Sequence, residues 1–297
     1  MDRRSLVISL SVLAMSLLCL AAAAAPVAKA PSPTARPVVA AVAAPAPPAK
    51  KAAVEPLATV ALPRAVRLVC IDAGHGGDVE GAIGWDGIRE KDVALDVALR
   101  TGRALEAAGY AVVYTRDSDV DVPLKDRPLI ANRAGADLFV SIHANAEAAH
   151  KASGFETFHL SSEASDRSAM KLASRENAFA AAAGSPFFGG GALGMILADL
   201  AISEARADSA HLATSVQFQL AEVLDTDNRG VKQAPLAVLA GAVMPAVLVE
   251  VGFITSKTEG KLLAKATYRD GIARAIARGV ARHDELTARR LTGAPKG

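Results

Sequence analysis

Two hydrophobic periods alternate along the chain from residue 65 onward. The segment VRLVCIDAG (66–74) is an almost continuous apolar run that stops at glycine, which predicts a strand buried on both faces. KDVALDVALRTGRALEAAG (91–109) carries apolar residues at helical spacing and ends at Gly109, a natural C-terminal stop. AVVYTR (111–116) predicts a strand, KDRPLIANRAG (125–135) a helix and ADLFVSIHAN (136–145) a third strand. Strand, helix, strand, helix, strand is the order of an α/β domain with a mostly parallel central sheet flanked by helices.

Further along, GFETFHLSS (154–162) predicts a strand, 165–183 a helix, SPFFGGG (185–191) a flexible break and 193–225 a long amphipathic helix. PLAVLAG (235–241) and PAVLVEVGF (245–253) are strand candidates, and helices over 255–286 close the domain. One domain over 64–286 is expected, followed by a flexible tail at 287–297. No internal repeat of fixed period is evident.

The first 63 residues follow a different pattern. Residues 1–25 combine Arg3 and Arg4, a short apolar run and a row of alanines before Pro26, the parts of a cleavable export signal. The alternative is a retained membrane anchor, since the run nearly reaches spanning length. Residues 26–63 are mostly Ala, Pro and Val, which favours an extended, disordered tether. The tether is either an inert linker or a mildly basic spacer. Cleavage would leave no membrane span and place the domain in the periplasm. It would also remove Cys19 and leave Cys70 as the lone thiol, so no intramolecular disulfide is expected. Lys+Arg 33 against Asp+Glu 31 gives a net charge of +2, too balanced for electrostatic capture of nucleic acid.

In α/β sheets, ligands gather outside the carboxyl ends of the strands. His75 follows the first strand in DAGHGG, His143 ends the third in FVSIHAN, and Glu250 lies in PAVLVEVGFITS. Two histidines and one carboxylate make a standard catalytic zinc set. Glu90, in GIREKD, is open to that role or to a plain helix N-terminal carboxylate favoured by the dipole. Glu250 is a charge inside an apolar strand. Either a cation such as Arg229, Lys232 or Arg116 neutralises it, or it is a proton-transfer group whose pKa is raised by its neighbours.

IDAGHGG, GIREKDVALDVA, ADLFVSIHAN and PAVLVEVGFITS, in this order, resemble the zinc-dependent N-acetylmuramoyl-L-alanine amidases that trim septal peptidoglycan in Gram-negative envelopes. The resemblance covers residues 66–283. It implies that His75, Glu90 and His143 bind one zinc ion per chain and that Glu250 is the catalytic glutamate. The implied reaction is hydrolysis of the amide between the lactyl group of N-acetylmuramic acid and L-alanine of the stem peptide, in cell separation. The family's division enzymes also carry an autoinhibitory insertion displaced by a protein activator. Here it corresponds to 162–193, and Glu176 in SRENA matches the position of an inhibitory fourth zinc ligand, whose alternative is a solvated helical glutamate. Two departures stand out. The tether is too short for a peptidoglycan-targeting domain, and Pro235 replaces a small flexible residue.

Two rival functions follow from the same residues. A peptidoglycan-binding pseudoenzyme would have no chemical reason to keep both histidines, Glu90 and Glu250. A zinc carboxypeptidase acting within the stem peptide would be expected to show a His-x-x-Glu pairing, which is absent.

Overall fold

The computed structural model describes residues 65–84, 86–178 and 192–292. The export signal at 1–25, the tether at 26–63 and the glycine-rich break at 185–191 lie outside the described residues. So do the last five positions of the expected tail.

Among the described residues, six strands form one sheet in the order β2-β1-β3-β6-β4-β5. Strands β1 (Leu68–Ala73), β2 (Ala111–Tyr114), β3 (Leu138–Asn145) and β6 (Ala246–Phe253) are parallel neighbours. Strand β4 (Phe155–Leu160) runs antiparallel to β6 and parallel to β5 (Asn228–Ala234). The sheet is therefore mostly parallel but mixed. Every residue of β3 and β6 is buried, as expected for central strands covered on both faces.

The alternation of side chains across the pleat divides the core in two. From β1, Val69 and Ile71 join one cluster while Cys70 joins the other. The first cluster is closed by α1 (Glu90–Ala107), α4 (Ala192–Ala221) and α6 (Ala266–Thr292), through residues such as Val97, Val216 and Ile276. The second is closed by α2 (Asp126–Ala134), α3 (Arg167–Asn177) and the turn after β5. Short α5 (Lys257–Leu263) links β6 to α6, capped by Ser256.

Three expectations need correction. PLAVLAG (235–241) is not a strand: it turns, and Leu236, Val238 and Leu239 plug the second cluster. Its apolar content reflects burial under a turn rather than pairing. The actual strand is the preceding NRGVKQA, a polar edge strand whose charges disguise it. Finally, α6 continues to Thr292, so 287–292 is helix rather than flexible tail.

The chain leaves β1 to pair β2 on one side and returns to place β3 on the other. This change of direction opens a crevice at the carboxyl ends of β1 and β3, where open α/β sheets bind ligands.

Candidate functional site

His75 stands at the mouth of that crevice on a backbone with φ of 57°, a left-handed conformation uncommon for a residue with a side chain. The loop is held by two buried arginines. Arg116 donates from Nε to the Ala73 carbonyl at 2.9 Å and from Nη2 to the Gly74 carbonyl at 2.8 Å. Arg127 donates from Nη1 to the Ala73 carbonyl at 2.6 Å and from Nη2 to the His75 carbonyl at 2.9 Å. Arg127 is itself paired with the fully buried Asp72 at 2.9 Å. Gly74 is required by close approach, since a Cβ there would lie 2.5 Å from the His143 ring.

Glu90 opens α1, and its Oε2 accepts a hydrogen bond from the Ala82 amide at 2.8 Å. Its Oε1 lies 3.1 Å from His75 Nε2 and 3.0 Å from His143 Nδ1. Strand β3 delivers His143, whose Cα partner across the sheet is Glu250 of β6. Glu176, in the last turn of α3, places Oε2 3.5 Å from His75 Nε2 and 3.3 Å from His143 Nδ1. Donor atoms of His75, Glu90, His143 and Glu176 all lie within 4.8 Å of one another, and all four residues are buried. Such a convergence of two imidazoles and two carboxylates can hold a metal ion.

Without a cation between them these groups perturb one another. Burial opposes charge on Glu90, but His75 and His143 hold its carboxyl well below the usual range. Burial likewise opposes charge on His143, yet Glu176 and Glu90 push it up to about 9. Glu250 behaves in the opposite way. Its complete burial raises the carboxyl well above the usual range, against the pull of Arg175 and His143. Neither of its oxygens has a hydrogen bond among the described residues. A buried carboxyl in that condition is suited to exchanging protons with a reacting group.

The cation beside Glu250 is Arg175, with Nη2 at 3.7 Å. None of the three cations suggested by the sequence serves this purpose. Arg229 and Lys232 pair with Glu156 at 3.0 and 2.9 Å, and Arg116 holds backbone carbonyls. Arg175 also contacts Glu176 at 2.8 Å and donates to Asn145 Oδ1 and the Ala146 carbonyl. The chain gives no local sign of this role, because Arg175 meets Glu250 only through the packing of α3 over the strand ends. Glu156 was equally hidden: it faces Glu250 in register on β4 and is a polar position in an ordinary-looking strand.

The fold and this cluster define an α/β protein in which two imidazoles and two carboxylates converge in a buried group that could hold a metal ion, with the buried carboxyl of Glu250 beside it. A family model described as N-acetylmuramoyl-L-alanine amidase matches residues 69–282. The chain is 39% identical over 216 residues to N-acetylmuramoyl-L-alanine amidase AmiA of Escherichia coli (strain K12), covering 72% of this chain and 75% of that protein. It is 36% identical over 217 residues to AmiC of Neisseria meningitidis serogroup B, covering 73% of this chain but 52%, about half, of that longer protein. Among solved structures, the CwlD amidase of Clostridioides difficile, in complex with the GerS lipoprotein, superimposes with a TM-score of 0.57 at 27% identity, over 74% of this chain and 99% of that one. The chain belongs to the N-acetylmuramoyl-L-alanine amidase family.

Proposed function

We propose that the protein is a zinc-dependent peptidoglycan amidase of the periplasm, acting in septal wall splitting and held in a resting state by α3. The observation that carries this reading is the four-donor cluster with Glu250 beside it. Four bonds of about 2.05 Å in tetrahedral array separate ligand atoms by about 3.3 Å, the spacing zinc asks of nitrogen and oxygen donors. The spacings of Glu90 and Glu176 to the two histidines run from 3.0 to 3.5 Å. His75, Glu90 and His143 come from the sheet and α1, so they are the permanent ligands. Glu176 comes from the insertion and takes the fourth position.

Zinc, when bound, polarises the scissile carbonyl and acidifies water. Glu250 accepts a proton from the attacking water at a carboxylate oxygen. The C–O bond forms as the water gives up that proton, and Glu250 then returns it to the departing nitrogen of L-alanine as the C–N bond breaks. The products are a muramoyl lactyl carboxylate and a peptide ammonium, the amine having taken up the proton of the new acid. The pKa raised by burial makes Glu250 a stronger base than an ordinary carboxylate, which suits it to take up the proton it later returns.

Helix α3 opposes this chemistry twice. Glu176 fills the place where substrate and water must meet, and the Arg175 guanidinium lies against the catalytic carboxyl. An activating protein would release both by lifting α3. The lipoprotein bound to the CwlD relative supports partner control, and the export-signal pattern of residues 1–25 supports meeting the wall outside the cytoplasm. Among the described residues, no helix is long and apolar enough to cross a membrane.

The test is digestion of purified peptidoglycan by the wild-type chain and by Glu176→Ala, with and without a chelator, followed by mass analysis. Free peptides beginning at L-alanine, enriched with Glu176→Ala and lost on chelation, are the expected products. Cleavage inside the peptide, or no release by Glu176→Ala, overturns the assignment.

A further inference from the structure

If α3 covers the substrate groove, the fixed residues that bind its polar groups reveal what the groove binds when α3 leaves. Glu176 at one end of α3 marks the reacting centre. At the other end Asp166, the N-cap residue, places Oδ2 3.1 Å from Lys232 Nζ on β5. Ser168 Oγ accepts from the same Nζ at 2.9 Å.

The charges around Lys232 do not balance without α3. Glu156, 2% exposed, is shared by Arg229 and Lys232, so two cations serve one fixed carboxylate. Asp166 supplies the missing negative charge. Lifting α3 would therefore uncover one surplus positive charge on β5, with Glu156 of the intervening strand β4 still paired to Lys232. A cavity of about 540 Å³ adjoins this spot, between Asn145, Glu156, Arg229 and Phe253 on the fixed side and Lys171 and Leu172 of α3. The Arg229 guanidinium carbon lies over the Phe253 ring, 5.1 Å from its centroid, a cation–π contact that helps hold the side chain.

We propose that Lys232, supported by Arg229 and Glu156, is a carboxylate subsite for the peptide side of the substrate, and that Asp166 of α3 occupies it in the resting state. This rests on the amidase reading of the reacting centre. Its distance selects the carboxylate. Lys232 on β5 is level with Leu248 of β6, so it lies two strand spacings across and two residues along from Glu250, or about 12 Å. The helix rise between Asp166 and Glu176 is about 15 Å. Extended peptide at about 3.3 Å per residue then brings a carboxylate three to four residues beyond the scissile amide onto Lys232. Lys232 is thus a specificity residue, remote from the reacting atoms.

The experiment measures calorimetric binding of two probes to the full chain: a stem tetrapeptide beginning at L-alanine with free carboxylates, and the same peptide fully amidated. Asp166→Asn should bind the free acid several-fold more tightly than wild type and prefer it to the amide by about ten- to a hundredfold. Adding Lys232→Gln should abolish that preference, whereas adding Lys232→Arg should retain most of it. Equal binding of acid and amide by Asp166→Asn, or a preference that survives Lys232→Gln, overturns the subsite. Equal binding by Asp166→Asn does so even if Lys232→Gln fails to fold. Hydrolysis of a muramoyl peptide by the same variants is scored separately. Absence of hydrolysis with an intact binding preference refutes the amidase reading alone, and hydrolysis without the preference refutes the subsite alone.

Discussion

At the scale of single residues, two of the glutamates in and beside the buried cluster, Glu90 and Glu250, differ by environment. Glu90 is anchored by the Ala82 and Ala144 amides and two imidazoles, so it stays ionised and suits a ligand. Glu250 has no hydrogen bond on either oxygen and suits proton exchange. Glu250→Gln should therefore retain metal, measured by atomic emission on the dialysed protein, while peptide release falls by about 10²- to 10⁴-fold. Loss of metal together with activity would instead make Glu250 a ligand. Arg175→Ala removes the guanidinium from Glu250 and Glu176 along with two hydrogen bonds to the strand end. Charged hydrogen bonds are each worth about 1.5–3 kcal/mol, so basal peptide release without activator should rise at least tenfold. His75, His143 and Glu250 stand out in the sequence as candidates because each lies in a distinctive apolar or glycine-rich segment, whereas Glu90 in GIREKD joins them only through the family resemblance. Arg175 and Glu156 do not stand out, since their roles come from which element lands on which.

At the scale of elements, α3 is held mainly by polar contacts at its ends, with a small apolar seam between. Ala169, Leu172 and Ala173 are its buried apolar residues. At the C-terminal end, Asn177 donates from Nδ2 to the Pro235 carbonyl at 2.7 Å and accepts from the Ala237 amide at 2.8 Å. Proline at 235 has no N–H to satisfy, and its carbonyl is directed to Asn177. Asn177→Ala should accelerate hydrogen exchange in α3 and leave the exchange of β3 and β6 unchanged, because two bonds of about 1 kcal/mol each are lost from this helix alone. Uniform acceleration across the sheet would mean that α3 is an integral part of the fold. The same turn explains why the apolar run at 235–241 has the pattern of a strand. Buried leucines beneath a turn and buried leucines in a strand give the same apolar run, and only the backbone pairing of 228–234 with β4 separates the two.

At the scale of the whole molecule, two groups tie stability to solution conditions. His283 of α6 is 2% exposed, and burial lowers its pKa to about 4. The folded state resists a proton that the unfolded chain takes up near pH 6.5, so this contribution is complete above about 6.5 and is lost as pH falls toward 4. At pH 4 the loss is about 3 kcal/mol, and a chemical-denaturation series should show it shrink in His283→Gln. The proposed metal centre would act through binding. Removal of its ion by a chelator should lower the melting temperature reversibly, since a ligand at a hundredfold excess over its Kd stabilises by about 2.7 kcal/mol. An unchanged melting temperature would place the ion outside the cluster. Local pattern alone determined the alternation of strands and helices, the α/β class and the segments that carry His75, His143 and Glu250, because period and burial are properties of neighbouring residues. Only the tertiary structure decided the reversal of β4 and β5, the seating of α3 across the centre and the assignment of Arg175, Arg229 and Lys232 to their carboxylates. Those outcomes depend on distances between segments far apart in the chain, which no local periodicity encodes.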